Sequence, residues 1–207
     1  MSNPAHFRSQ DLAWSGRPAY DRHVESIREQ ASRTAERHLA GDLPRRWCHV
    51  RGVGAKAEHL SRVAGSDADL LVAAAWLHDI GYAPEIVDSG FHSLDGARWL
   101  VRNGWDIRLA SLVAHHSCAS YEADERGLGQ ALSSEFPDEA SAVSDALSYS
   151  DMTTGPDGQD LTVQERLAEI RERYGPDHLV TRFWRKAERP LLEAVRRTES
   201  RMAAQPM

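Results

Sequence analysis

The sequence predicts an all-α fold, a helical bundle, and three observations carry that expectation. Apolar residues recur at spacings of three and four through most of the chain, the period of an amphipathic helix. No alternating run of strand length persists. Prolines, glycines and capping residues punctuate the periodic segments at intervals that suit helices of two to five turns.

In chain order, residues 1–19 mix Pro, Ser, Gly and Arg and read as a poorly ordered lead-in. Residues 21–38 carry a thin apolar stripe (Val24, Ile27, Ala31, Ala35), expected as a surface helix ended by Gly41 and Pro44. Pro44 then suits the first turn of a helix whose buried stripe is Trp47, Val50, Val53, Ala57, Leu60 and Ala64, with Gly65 as its stop. Ser66 and Asp69 read as a capping box opening the next helix. After a connector over 82–90 comes a helix over 91–102 with Leu94, Ala97, Leu100 and Val101 inward. Asn103-Gly104 closes it, and Asp106 caps a helix running to His115-His116.

The stretch 121–139 lacks periodicity and reads as a loop or short helices at a rim, positioned to act as a lid. Residues 140–150 form a further helix, and 155–160 a turn. Thr162 and Glu165 make another capping box, and 177–202 is helical, with Pro190 either a kink or a second start. The expected layout is a lead-in over 1–19, a helical core over 20–155, and helices over 156–207 packed on the same domain.

Composition excludes several classes. A chain of 207 residues with 41% hydrophobic and 27% charged residues has room for a core without disulfide staples. Its two cysteines, Cys48 and Cys118, read as reduced, buried filler. The longest apolar run, Leu70 to Leu77, is far below the ~20 residues that span a bilayer. Met1 to Tyr20 holds no apolar leader, so a cytoplasmic protein without membrane contact is expected. A net charge of −6 disfavours long RNA or DNA as partner but leaves room for a nucleotide in a local pocket. The Arg- and Glu-rich C-terminal helices read as a solvated face or a contact for a homo-oligomer.

The chemistry concentrates at the end of that apolar run, where His78 and Asp79 follow Leu77 directly. A helix apolar on all sides lies inside the protein, and an ionised carboxylate buried there needs a positive partner. No Lys or Arg lies between Arg62 and Arg98 to provide one locally, whereas a metal ion would. His49, His92, His115, His116 and Asp151 also end or line predicted core helices. Such a His and carboxylate set suits borderline divalent metals. Seven groups exceed what one ion needs, and Asp79 has two oxygens with which to bridge a pair. Adjacent helical residues point ~100° apart, so the spacing leaves open whether one or both of His115 and His116 coordinate.

The ordered set His49, His78-Asp79, Asp151, with Ile80-Gly81 after the dipeptide and His92 leading to Gly96, resembles the HD-domain metal-dependent phosphohydrolases over roughly 45–155. His92, His115 and His116 extend the resemblance to the family's binuclear subset. It implies an HD-domain bundle with added C-terminal helices. One metal would be held by His49, His78, Asp79 and Asp151, the other by Asp79, His92, His115 and His116. Asp79 would be the catalytic bridge, orienting the attacking water. The ions expected are Fe or Mn first, then Ni, Co, Zn or Mg. Two-metal hydrolysis of a phosphoester or phosphoanhydride of a small substrate, a nucleotide foremost, follows from that resemblance. Lys56, Arg98, Arg126 and Thr153 are the candidate phosphate contacts. Two alternatives share the ligand list: a mixed-valent di-iron oxygenase of the HD-domain type, and a non-catalytic nucleotide-binding metal module. The His115-His116 pair favours hydrolysis, because the oxygenase relatives typically offer one histidine there.

Overall fold

A computed structural model describes residues 25–205. The expected lead-in and Val24 lie outside the described residues. Ten α-helices occur among the described residues, with one isolated bridge, Thr154 to Asp160, as the sole extended pairing.

The organising element is α3 (Ala68–Leu77), a short helix with Leu71, Val72, Ala73, Ala74, Ala75 and Leu77 all buried. Four helices pack around it: α1 (Ile27–Leu39), α2 (Pro44–Leu60), α5 (Ile107–His115) and α8 (Ala142–Met152). The crowding explains why α3 has no polar residue beyond Asp69 in its first turn. Beyond the first turn Trp76 is the half-buried exception, and it lies against Gly54 of α2, where an added Cβ would fall 2.6 Å from the indole ring. The small side chain therefore sets how closely α2 and α3 approach.

Local signals in the sequence decide most boundaries. Ser26 caps α1 in a capping box with Glu29, and Pro44 occupies the first turn of α2. Gly65, at φ +58°, turns the chain within a 3-10 segment between α2 and α3. The capping box expected from Ser66 and Asp69 does not form. Asp67 precedes α3 without a side-chain cap, and the Asp69 carboxylate instead accepts from Arg28 Nε at 2.6 Å. A long-range ion pair has taken the acid that local pattern assigned to the helix start.

Next come α4 (His92–Arg102), α5, and two short helices, α6 (Ala119–Glu125) and α7 (Gly129–Glu135). Val101, expected inward on α4, is exposed. The stretch read as a rim with a lid is two helices, and Leu132 and Phe136 anchor the second of them in the core. Cys48, expected as buried filler, is exposed on α2, whereas Cys118 is half-buried.

The C-terminal part packs on the bundle through a second apolar cluster. Leu167 and Ile170 of α9 (Val163–Tyr174) meet Phe183, Trp184 and Leu191 of α10 (Leu179–Ala203) and Met152 of α8. Thr162 and Glu165 form the expected capping box of α9. Pro190 lies inside one continuous helix of 25 residues. Arg197 and Arg201 of α10 both pair with Asp145 of α8, tying the last helix to the core.

Candidate metal centre

Five segments deliver six ionisable side chains to one spot near the end of α3. His49 comes from α2, His78 and Asp79 from the end of α3, His92 from the first turn of α4, His116 from just beyond α5, and Asp151 from the last turn of α8. All but His92 are buried, and His92 is nearly so.

The donors form two groups that share Asp79. His49, His78 and Asp79 offer ligand atoms within 4.8 Å of one another, and so do Asp79, His92 and His116. Asp79 Oδ2 lies 3.3 Å from His78 Nε2, while Asp79 Oδ1 lies 3.5 Å from His92 Nε2. The carboxylate thus presents one oxygen to each group. Asp151 joins the first group through Oδ1, 3.0 Å from His49 Nε2.

The histidines are held with their Nε2 atoms inward. Nδ1–H of His78 donates to the Ala75 carbonyl at 2.8 Å, that of His116 to Val113 at 2.6 Å, and that of His49 to Gly155 at 3.1 Å. A donor bond at Nδ1 turns Nε2 toward the cluster, the arrangement that metal-binding imidazoles use. Nε2 of His49 sits 3.4 Å from that of His78, and Nε2 of His92 sits 3.3 Å from that of His116. Ligands at ~2.1 Å from a shared ion lie about 3.0–3.4 Å apart. The donor set therefore fits divalent metal ions.

Backbone geometry explains how these groups reach one another. At Gly81 an added Cβ would fall 2.0 Å from the His92 carbonyl oxygen and 2.7 Å from the Gly96 nitrogen. Glycine there allows the start of α4 to seat directly on the end of α3, which brings His92 to Asp79. Asp95, fully buried, accepts from the backbone N–H groups of Asp88, Ser89 and Gly90 and so fixes the connector leading into α4. Beyond α5 the chain breaks sharply. Ser117 and Cys118 are the non-glycine residues with positive φ among the described residues, at 49° and 60°. Such conformations cost of order 1–3 kcal/mol each. They turn His116 inward and place Ser117 Oγ to donate to Asp151 Oδ2 at 2.5 Å.

The same break separates the two neighbouring histidines. His115 still belongs to α5 and donates from Nε2 to the Phe136 carbonyl at 2.9 Å, away from the cluster. Of the pair, the structure brings His116, whose backbone has left the helix at ψ 147°, to Asp79 and leaves His115 outside.

Arg46, one turn before His49, has no counterpart among the sequence-derived candidates. Its Nη1 lies 2.6 Å from Asp79 Oδ2, and its guanidinium lies 4.0 Å from the centre of the Tyr82 ring. Tyr82 also stacks on His92 at 4.2 Å. The buried acid thus has a cation partner 33 residues earlier in sequence, which a search for local Lys or Arg could not find. Burial alone would raise the Asp79 carboxyl, but Arg46 and His78 outweigh it and hold it well below the usual range. Burial likewise opposes charge on His78, yet Asp79 and Asp151 lift its imidazole to about 9. Burial keeps His92 and His116 below the ordinary histidine value.

A cavity of about 210 Å³ opens on these groups, lined among others by Asp79, His92, His116 and Asp151. Arg46, Arg126, Arg166 and Arg173 also line it. Of the four candidate phosphate contacts, Arg126 is there, paired with Glu122 at 2.8 Å. The other three are engaged elsewhere. Lys56 ties Thr153 to Asp160, Arg98 pairs with Glu135 at 2.5 Å, and the Thr153 hydroxyl donates to the Tyr149 carbonyl. These contacts hold the 153–160 turn and the α4–α7 packing. Arg166 and Arg173 lie on α9, far in sequence from every motif, and no spacing pattern marked them.

The fold and the histidine–aspartate geometry define a helical metal-site protein of one family. The HD-domain family model matches residues 46–153, just over half of the chain, and the chain belongs to that family. It is also similar to a tRNA (cytidine(56)-2'-O)-methyltransferase of Thermoplasma volcanium, 35% identical over 77 residues. That match covers 37% of this chain and 22% of the methyltransferase, so it spans under a quarter of the relative's length. No solved structure matches. No helix among the described residues is long and apolar enough to cross a membrane.

Proposed function

We propose that the protein is a metal-dependent phosphohydrolase with a binuclear site, acting on a small phosphorylated substrate, a nucleotide foremost. One observation carries this reading: four arginines line the cavity onto which the histidine–aspartate groups open, in a chain whose net charge is −6. That concentration of guanidinium groups suits a phosphoryl anion rather than a neutral substrate.

His49, His78, Asp79 and Asp151 would hold one ion, and Asp79, His92 and His116 the other. Bound there, two divalent ions supply the Lewis acidity that activates water and neutralises charge on the phosphoryl oxygens. The chain's own groups do the rest. Carbonyls of Ala75, Val113 and Gly155 fix the imidazole tautomers, and Ser117 orients Asp151. Arg46, poised between Asp79 and the cavity, and Arg126 would contact phosphoryl oxygens and orient them for attack.

A second reading has one specific observation in its favour. With His115 turned away, a single histidine stands at that position, which is the pattern of the oxygenase relatives. The preference for hydrolysis drawn from a His115-His116 pair therefore lapses, and the arginine lining replaces it.

Elemental analysis of protein purified without chelator, paired with phosphate release from a panel of nucleotides and sugar phosphates, tests both. Two equivalents of Fe or Mn with phosphate release are expected. Asp79→Ala should lose both equivalents. Two irons with substrate-dependent O2 uptake and no phosphate release would favour oxygenation. Failure to bind any of Fe, Mn, Co, Ni or Zn would overturn the metal centre itself.

A further inference from the structure

We infer that α9 builds a second anion subsite beside the metal centre, with Arg166 at its middle, and that the substrate carries a second phosphoryl group bound there. The inference rests on the phosphohydrolase reading for the place of the first phosphoryl group.

Arg166 is buried, 6% exposed, yet its Nε has no hydrogen-bond partner. A buried guanidinium donor left unpaired costs free energy, and such donors are normally satisfied. Its Nη1 donates to Glu169 Oε2 at 2.5 Å. Glu169 serves Arg173 as well, whose Nε donates to Oε1 at 2.8 Å. The spacing of three and four residues places all three side chains on one face of α9. One carboxylate between two guanidinium groups leaves a positive charge uncompensated on this face of α9.

The position of these side chains points to the occupant. Arg46, Arg166 and Arg173 line the cavity at the metal centre and also an adjoining cavity of about 370 Å³. They form a shared wall. The first cavity, at about 210 Å³, falls below the roughly 300–1,000 Å³ common for small-molecule sites, so a ligand of ordinary size would reach past that wall into the second. Arg46 has the Asp79 carboxylate to itself, whereas the two α9 arginines share the one carboxylate of Glu169 and keep charge for an incoming group. Glu169 already spreads a single negative charge over both guanidinium groups, whereas a phosphoryl group brings further oxygens and a second charge to meet them. The substrate is thus a bisphosphate or a diphosphate. Because α9 lies beyond residues 46–153, this subsite belongs to the part of the chain outside the family match.

Calorimetric titration of the full-length, metal-free protein with inorganic pyrophosphate tests this without relying on turnover. Wild type should bind pyrophosphate, inorganic phosphate should compete, and acetate should not. Arg166→Gln should weaken binding at least about tenfold, the scale of one charge-assisted hydrogen bond. Arg173→Gln, at a side chain 30% exposed, should weaken it by a smaller factor and decides the matter if Arg166→Gln does not fold. In the metal-loaded protein, Arg166→Gln should raise KM for a bisphosphate by a larger factor than for the matching monophosphate. Unchanged pyrophosphate binding in both folded variants would overturn the subsite, and equal competition by acetate would overturn its phosphate character. Pyrophosphate binding that is lost in Arg166→Gln, with no hydrolysis of any substrate, would overturn the hydrolase reading alone.

Discussion

Arg46 Nη1 and Asp79 Oδ2 lie 2.6 Å apart, and that oxygen is the one facing His49 and His78. The guanidinium meets the acid from the side where a metal ion would also neutralise it. Removing one partner of a buried pair costs about 3–5 kcal/mol, because a charge is left unmet. Arg46→Ala should therefore destabilise the metal-free protein by about that amount. Added metal should raise the melting temperature of the variant by more than it raises that of wild type. Equal increments, measured by calorimetry, would show that Arg46 and the ion do not serve the same carboxylate.

The two adjacent histidines should behave differently. His116→Ala removes an inward Nε2 and should weaken metal binding by more than the ~10–100-fold that losing an outer-shell partner costs. His115→Ala should leave metal content unchanged and cost about 1 kcal/mol, the value of its bond to Phe136. Metal titration and denaturant unfolding on both variants separate the cases.

Ser117 touches Asp151 but belongs to neither donor group. Ser117→Ala deletes its 2.5 Å hydrogen bond and should lower metal affinity by about 10–100-fold with the fold intact. Affinity within twofold of wild type would mean that α8 alone orients Asp151.

Gly81→Ala places a methyl group against the backbone of α4, 2.0 Å from the His92 carbonyl. Backbone cannot swing aside as a long side chain can. A loss of about 1–3 kcal/mol is expected, together with weaker metal binding, since His92 would be pushed from Asp79. Thermal melting and metal titration should change together in this variant, unlike in Ser117→Ala.

Asp145 links pH to the attachment of α10. Burial tends to raise its carboxyl, but Arg197 and Arg201 outweigh this and hold it below the ordinary 3.8. A depressed folded-state pKa contributes stability that is present above the unfolded value and is lost as pH falls through the folded one. The contribution should be full at pH 5 and above and fade below about pH 4. Asp145→Asn should lower the melting temperature at pH 7 by a few degrees, consistent with about 1–2 kcal/mol for partners that are partly exposed. The gap from wild type should close on acidification.

The helical class, the central position of α3 and six of the residues gathered at its end were legible in the sequence, and the reason is local. Helical periodicity and capping depend on residues three or four apart, as at Thr162 and Glu165. A histidine or aspartate next to a fully apolar run has few reasons to be there other than chemistry, which singled out His78 and Asp79. Three-dimensional packing decided what depends on distant partners. It withdrew His115 through a break after α5 that no spacing encodes, and it set Arg46 against Asp79 across 33 residues. It also spent Lys56 and Arg98 on structural ion pairs and brought Arg166 and Arg173 from α9 to the cavity wall. An arginine on a helix reads the same in sequence whether it faces solvent or a site. The direction in which a neighbouring helix carries it is set by burial of apolar faces such as Leu167 and Ile170, and only the assembled fold fixes that direction.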